Sequence, residues 1–331
     1  QEQWNLGVDL GLFNDRLSIT AETYNKHSFD LIYSDFPVPP LTGSYYLVSS
    51  VNIGEVENKG WEISANWSDR IDDFTYSIGG MIFDNKNQVL KAGYNPTDTL
   101  IFKGTNDRIW YRGIPINNYY GFETDGYFQT QAEIDGTTAK FPNTIPGDIK
   151  YVDQNGDGIL NDADRIFLGD PAPRYNYSIM LDIGYKQWDF SLLGQGVGKR
   201  VGRLGGQEGY PVYVDGGSNN LGAPRQYYVD NRWTPETPDS RFPRVWTGSS
   251  TNTYLSDVWL SDASFFRIKS LQVGYSIPRL GKSFRNFRVY FNAQDFLTFT
   301  NWEGLEPERD GGNGHYPRMA SYSVGFQVTL F

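Results

Sequence analysis

Apolar and polar side chains alternate with a period of two along stretches of about ten residues, and this constrains the chain more than any other feature. In "RYNYSIMLDIGY", Tyr175, Tyr177, Ile179, Leu181, Ile183 and Tyr185 share one face and Asn176, Ser178, Met180, Asp182 and Gly184 the other. "EQWNLGVDLGL" sets Trp4, Leu6, Val8, Leu10 and Leu12 against Asn5, Gly7, Asp9 and Gly11. "GWEISANW" and the terminal "SYSVGFQVTLF" repeat the pattern. A period of two is that of a strand, whose successive side chains point to opposite faces. A soluble sandwich also alternates. Here the polar face is rich in Gly, Ser, Asn and Gln and poor in Lys and Arg, while the apolar face ends in Trp, Tyr or Phe. That combination suits a barrel wall with lipid outside and water inside.

Strands are expected at about 3–13, 16–28, 53–68, 74–90, 174–185, 187–198, 264–278, 286–299 and 318–331. The links alternate between short turns and long loops, the latter at about 29–52, 91–173, 199–263 and 300–317. Short turns at one end and long loops at the other are the outer-membrane barrel pattern. Nine is an odd number and the first strand runs toward the short-turn side, so its hairpin partner is expected upstream. The expected fold is therefore all-β: the C-terminal portion of a large antiparallel transmembrane β-barrel with long extracellular loops, over residues 1–331. A terminal Phe331 on an alternating strand fits the targeting signal read by the barrel-assembly machinery.

Composition narrows the function classes. Aromatic residues make up 16% of the chain, with 36 Gly, which favours β structure. A net charge of −10 argues against a nucleic-acid partner. There are no cysteines, so disulfides and thiolate metal sites are excluded. His27 and His315 are the two histidines and lie far apart in sequence. No run approaches the ~18 apolar residues of a spanning helix, which says nothing against spanning strands.

One stretch carries metal-binding chemistry. In "YVDQNGDGILNDADR", oxygen donors fall at loop positions 1, 3, 5, 7, 9 and 12: Asp153, Asn155, Asp157, the Ile159 carbonyl, Asn161 (directly or through water) and Asp164, with Gly158 at the tight turn. Such a set suits Ca2+, here as a structural rivet in a long extracellular loop that fixes the entry of the strand at Arg174. Position 12 is Asp rather than Glu, as in dockerin-like loops. The bland alternative is a cluster of Asx turns held by backbone hydrogen bonds.

Other stretches have weaker signals. Trp110, Tyr111, Tyr119 and Tyr120 could line a substrate cavity or meet a lid, or simply pack the loop. Trp233 and Trp246 sit in a Pro-rich stretch that suits either a partner contact or a rigid loop. Glu303, Glu306, Glu308 and Asp310 could in principle supply a glycosidase pair, although carboxylates are common in Gly-rich surface loops. A competing reading is a secreted β-rich carbohydrate-binding or hydrolytic domain with a dockerin-like calcium site. A third, a barrel-embedded enzyme, lacks any evident Ser-His-Asp set.

Several stretches resemble SusC/RagA-type TonB-dependent transporters of the Bacteroidetes outer membrane. They are "NLGVDLGLFNDRLSITAETYNK", "NIGEVENKGWEISANW", "RGIPINNYYGFETDGYFQTQAEID" and, most specifically, "PGDIKYVDQNGDGILNDADRIFLGDPAPRYNYSI". The likeness covers essentially the whole chain. It implies a 22-stranded barrel whose N-terminal plug, first strands and TonB box lie outside this sequence. It further implies import of oligomeric nutrients, oligosaccharide or oligopeptide, energised by TonB, with a SusD-like surface lipoprotein as a hinged lid, outer-membrane lipid around the wall, and no enzymatic activity.

Overall fold

The computed structural model describes residues 1–37, 48–93, 99–101, 108–205, 224–246, 250–280, 284–309 and 318–330. Nine long strands form one antiparallel sheet: β1 (Glu2–Leu12), β2 (Leu17–Pro37), β3 (Val48–Ile71), β4 (Phe74–Ala92), β11 (Arg174–Tyr185), β12 (Trp188–Lys199), β15 (Phe265–Leu280), β16 (Phe284–Thr300) and β17 (Ser321–Leu330). Each is bonded to the next in this order. The count and order match the expectation. Tight turns join β1 to β2, β3 to β4 and β11 to β12. Their left-handed residues include Asn14, Asp15, Asp72 and Lys186, and Asn and Asp tolerate that conformation best after Gly. Among the described residues β1 pairs only with β2 and β17 only with β16, so both edges of the sheet are open.

Register decides what each face carries. Leu6 opposes Thr23, Ile63 opposes Ile82, and Ile82 opposes Tyr177. Side chains on this apolar face remain exposed, Trp4 at 55% and Val324 at 76%, and among the described residues no second sheet covers them. The opposite face pairs Glu22 with Glu62, Ser77 with Asp182, and Gln272 with Asn292. Two carboxylates directly across a ladder repel each other, which is tolerable where water reaches them. Glycine has a packing role on this face. The Tyr24 ring lies over Gly60, where an added Cβ would stand 2.3 Å from the ring, so the aromatic covers backbone that a larger residue would displace.

β2 and β3 run further than their alternation implied, to 21 and 24 residues. Beyond Ser28 the ladder continues through three register shifts, and Asp30 has a positive φ. Backbone pairing persists there although "SFDLIYSDFP" has lost its two-residue period, because bulges absorb the mismatch.

The long connections fold together rather than running as separate loops. They carry a four-stranded sheet of β5 (Thr99–Ile101), β6 (Arg108–Tyr111), β7 (Asn118–Phe122) and β10 (Arg165–Gly169). Two short ladders join β8 (Thr124–Tyr127) to β9 (Ile149–Tyr151) and β13 (Val201–Arg203) to β14 (Leu260–Asp262). α1 (Gln131–Gly136) and α2 (Gln226–Asp230) are each little more than one turn. One buried cluster draws Phe122, Tyr151 and Leu160 from the connection at 91–173, Tyr228, Trp233 and Trp259 from that at 199–263, and Trp302 from that at 300–317. The result is a lobe with its own core. Loop 113–114 bonds the backbone of Val89 and continues the ladder of β4 above the point where β11 leaves it.

Candidate functional site

The acidic loop between β9 and β10 is closed by its own side chains. Asp153 accepts the amides of Gly156 and Gly158, both at 2.8 Å. Asn155 Oδ1 accepts from Asp157, and Asp157 Oδ1 accepts from Ile159. Asn161 caps the 162–164 turn through the Ala163 amide, and its Nδ2 donates to the Ile159 carbonyl. Asp164, fully buried, accepts from Gln154 at 3.0 Å and Asn161 at 2.8 Å. Gly156 and Gly158 have φ of +72° and +81°, where a Cβ would be strained. The donors are all oxygen, which suits a hard cation. Among the described residues, however, no three Asp, Glu or His side chains gather into a metal-sized group. The fold of the loop is thus accounted for by Asx-type hydrogen bonds alone, and a cation at these donors would add to a loop already closed. Strand entry at Arg174 has a different anchor: its guanidinium forks onto both carboxylate oxygens of Asp84, and Tyr175 takes a positive φ beside it.

The aromatic segment divides. Trp110 packs against Val56, Val89 and Ala92, and its Nε1 donates to Asn117 at 2.9 Å. Tyr119 is fully buried, with the Arg108 guanidinium 5.0 Å from its ring centroid. Both are buried packing residues here, and Trp110 is turned toward β4. Tyr111 stays exposed and Tyr120 half-buried; each lies against the Phe167 ring, at 5.3 and 5.6 Å. Trp233 and Trp246 belong to the lobe core rather than to a partner surface.

The carboxylates of 301–309 are taken up by cations. Glu303 pairs with Arg241 at 3.1 Å and accepts from Ser261. Glu306 and Arg267 are both buried and pair at 2.7 Å. Glu308 accepts from Lys269 at 2.6 Å, Arg318 at 2.7 Å and Arg267 at 3.2 Å. Burial pushes the Glu308 carboxyl up, but Lys269, Arg318 and Arg267 outweigh it and hold the group below the usual range. Among the described residues, this arrangement clamps the segment to the wall and leaves none of Glu303, Glu306 and Glu308 without a cationic partner. Asp310 and His315 lie outside the described residues. His27 faces Glu55 at 3.5 Å.

A further set had no local signature. Asp148, nearly fully buried, accepts from Arg244 at 2.7 Å, Asn252 at 2.8 Å and the Ile145 amide at 2.9 Å. Asn252 in turn accepts from the Ile149 amide. These contacts tie two long connections together across about a hundred residues of sequence. Tyr127 and Tyr228 donate to the carbonyls of Arg241 and Pro243, and burial pushes both phenols well above their ordinary range.

Comparison with known proteins places this arrangement. No protein-family model matches the chain. It is 30% identical to TonB-dependent receptor P26 of Formosa agariphila over 98% of its own length and 34% of that protein. It is 25% identical to TonB-dependent receptor SusC of Bacteroides thetaiotaomicron over 98% of its length and 31% of that protein. The RagAB peptide importer in its "open-open" state superposes with a TM-score of 0.77 at 22% identity, covering 98% of this chain and 34% of that one. The chain thus spans about a third of the length of the curated relatives it matches. The relatives are named as receptors and an importer, not as enzymes.

Proposed function

We propose, from a likeness to SusC/RagA-type TonB-dependent receptors that extends over nearly the whole chain, that this is the wall and outer lobe of an outer-membrane importer of oligomeric nutrients. One observation carries the reading. A nine-stranded sheet leaves a continuous apolar face open on one side and a Gly, Ser, Asn and carboxylate face on the other. Lipid outside and an aqueous passage inside account for both faces at once, whereas a secreted β-domain would bury the first. The strands missing at both edges, the plug and the TonB contact belong to the rest of the whole protein, and a large barrel of about 22 strands is the size at which such a lumen needs a plug. A SusD-like surface lipoprotein is the proposed lid, seated on the lobe.

The test uses the full-length protein in its native membrane. It should fractionate with the outer membrane, migrate anomalously on unboiled gels, and take up a labelled oligosaccharide or oligopeptide only when TonB is intact. Solubility without detergent, or uptake indifferent to TonB, would sink the reading. Asp153, Asn155, Asp157, Ile159, Asn161 and Asp164 are proposed to hold Ca2+ as a structural clamp on the loop, adding to the hydrogen bonds that already close it. Limited proteolysis with and without chelator decides this. Protection by millimolar Ca2+ that disappears in the Asp153→Asn/Asp157→Asn variant is expected; cleavage that ignores chelator leaves the hydrogen bonds as the whole explanation.

A further inference from the structure

The water-facing side of the wall carries an apolar island. Phe83 opposes Glu62, and Met81 opposes Ser64 and Ser178, which places both β4 residues on that side. Met180 of β11 opposes Gly79 and, on its other flank, Leu193 of β12. Met180 is thus directly across from Leu193 and diagonal to Met81, so the four side chains form one patch over three strands. Ser64, Ser77, Asp182, Ser191 and Ser270 border it on the same side. Two of the chain's three methionines are here. They stay exposed among the described residues, Met180 at 50% and Met81 at 40%. Elsewhere on this side the fold covers its apolar residues: Val56 and Val89 lie against Trp110, and Val197 and Phe265 are buried. The island is left open to the lumen side.

We propose, resting on the import reading, that Phe83, Met81, Met180 and Leu193 seat an apolar face of the plug, the element of the whole protein that fills the lumen. A barrel of about 22 strands has a plugged lumen. This chain spans about a third of the curated relatives it matches, which leaves them ample further chain for such an element. Exposed apolar patches with a polar rim mark protein contact sites. Methionine suits a partner that must seat and release, because its flexible thioether adapts to the surface it meets. Cargo fits the island less well. The four side chains offer no N–H or O–H donor, and a thioether sulfur is only a weak acceptor. Sugar hydroxyls or a peptide backbone would leave water there without a replacement partner. An apolar protein face gains by leaving water at the same place.

The experiment exposes the full-length protein in outer-membrane vesicles to dilute peroxide and follows each methionine by mass spectrometry. The urea-unfolded protein is the reference. Methionine oxidation follows exposure, so Met81 and Met180 are expected to oxidise about tenfold more slowly in the folded protein. Folded rates for both within about threefold of the unfolded ones overturn the seat without needing any variant to fold. What covers the island is identified with p-benzoylphenylalanine placed at Met180. A photo-crosslink to a plug peptide of the same polypeptide is expected. A crosslink only to the lobe, to a separate partner protein or to cargo overturns the proposal. The two readings fail separately. Freely oxidised Met81 and Met180 in a protein that still imports with TonB remove only the seat, whereas absence of any TonB-dependent uptake removes the import reading.

Discussion

The wall and the lobe use the same residue types in opposite senses. In the wall, Trp4, Ile63, Val324 and Phe326 point away from the sheet and stay exposed. In the lobe, Trp233, Trp259, Phe242 and Tyr228 are driven inward, and Phe242 stacks on both Tyr228 and Trp259, with centroids 4.7 and 6.1 Å apart. Hydrophobicity has no preferred direction; it removes apolar surface from water. Where lipid is the neighbour, the exposed face is already out of water and the interior can be polar. Where water surrounds the chain, the same side chains must form a core. The lobe therefore obeys the rules of a small globular domain, and on the proposed reading the wall obeys those of the bilayer.

That contrast can be broken first in the lobe core. Trp259→Ala should cost about 3–5 kcal/mol there, seen as faster amide exchange across 120–260 with the unboiled gel mobility of the barrel unchanged. Exchange that stayed slow would mean the three connections do not share one core. Arg267→Gln tests the seam between the two regions. It leaves Glu306 buried without its charge partner, a loss of about 3–5 kcal/mol, and should free 303–309 to protease while the lobe core, Trp302 included, stays protected. Val324→Arg tests the wall. In lipid vesicles it should destabilise the barrel by about 2–4 kcal/mol if Val324 lies near the bilayer midplane, and less toward an interface. Measured by urea unfolding, no cost at all would place Val324 in water and undo the contrast.

The smallest effect is in pH. Glu308 has a folded value below the ordinary glutamate value of about 4.3. A lowered folded value means its contribution is complete above that pH and lost as pH falls through the folded value. Protease sensitivity of 301–309 should therefore be flat from pH 8 down to about 5 and rise only below about 4. A rise near pH 6 would assign the clamp to a different group.

The wall was legible residue by residue. Ile179 and Leu181 could be placed on one face, and Asp182 on the other, from spacing alone, and the ladder bears this out. The acidic loop was legible as a turn-rich oxygen cluster, and its hydrogen bonds follow the order of the motif. The aromatic segment was not. Nothing within "RIWYRGIPINNYYGF" separates Trp110 and Tyr119, which pack against β4 or lie buried, from Tyr111, which is exposed, because that depends on where β6 and β7 meet residues far away in the chain.

Local periodicity thus decided strands, faces and tight turns, because a strand's two-fold repeat acts between neighbours and needs no distant partner. Fusion of three connections into one core, the Arg267–Glu306 clamp and the Asp148–Asn252–Arg244 network were settled only by the tertiary structure. These pairs lie tens to a hundred residues apart, and a buried charge or amide is tolerable only where the fold delivers its partner. No spacing within the sequence encodes that delivery.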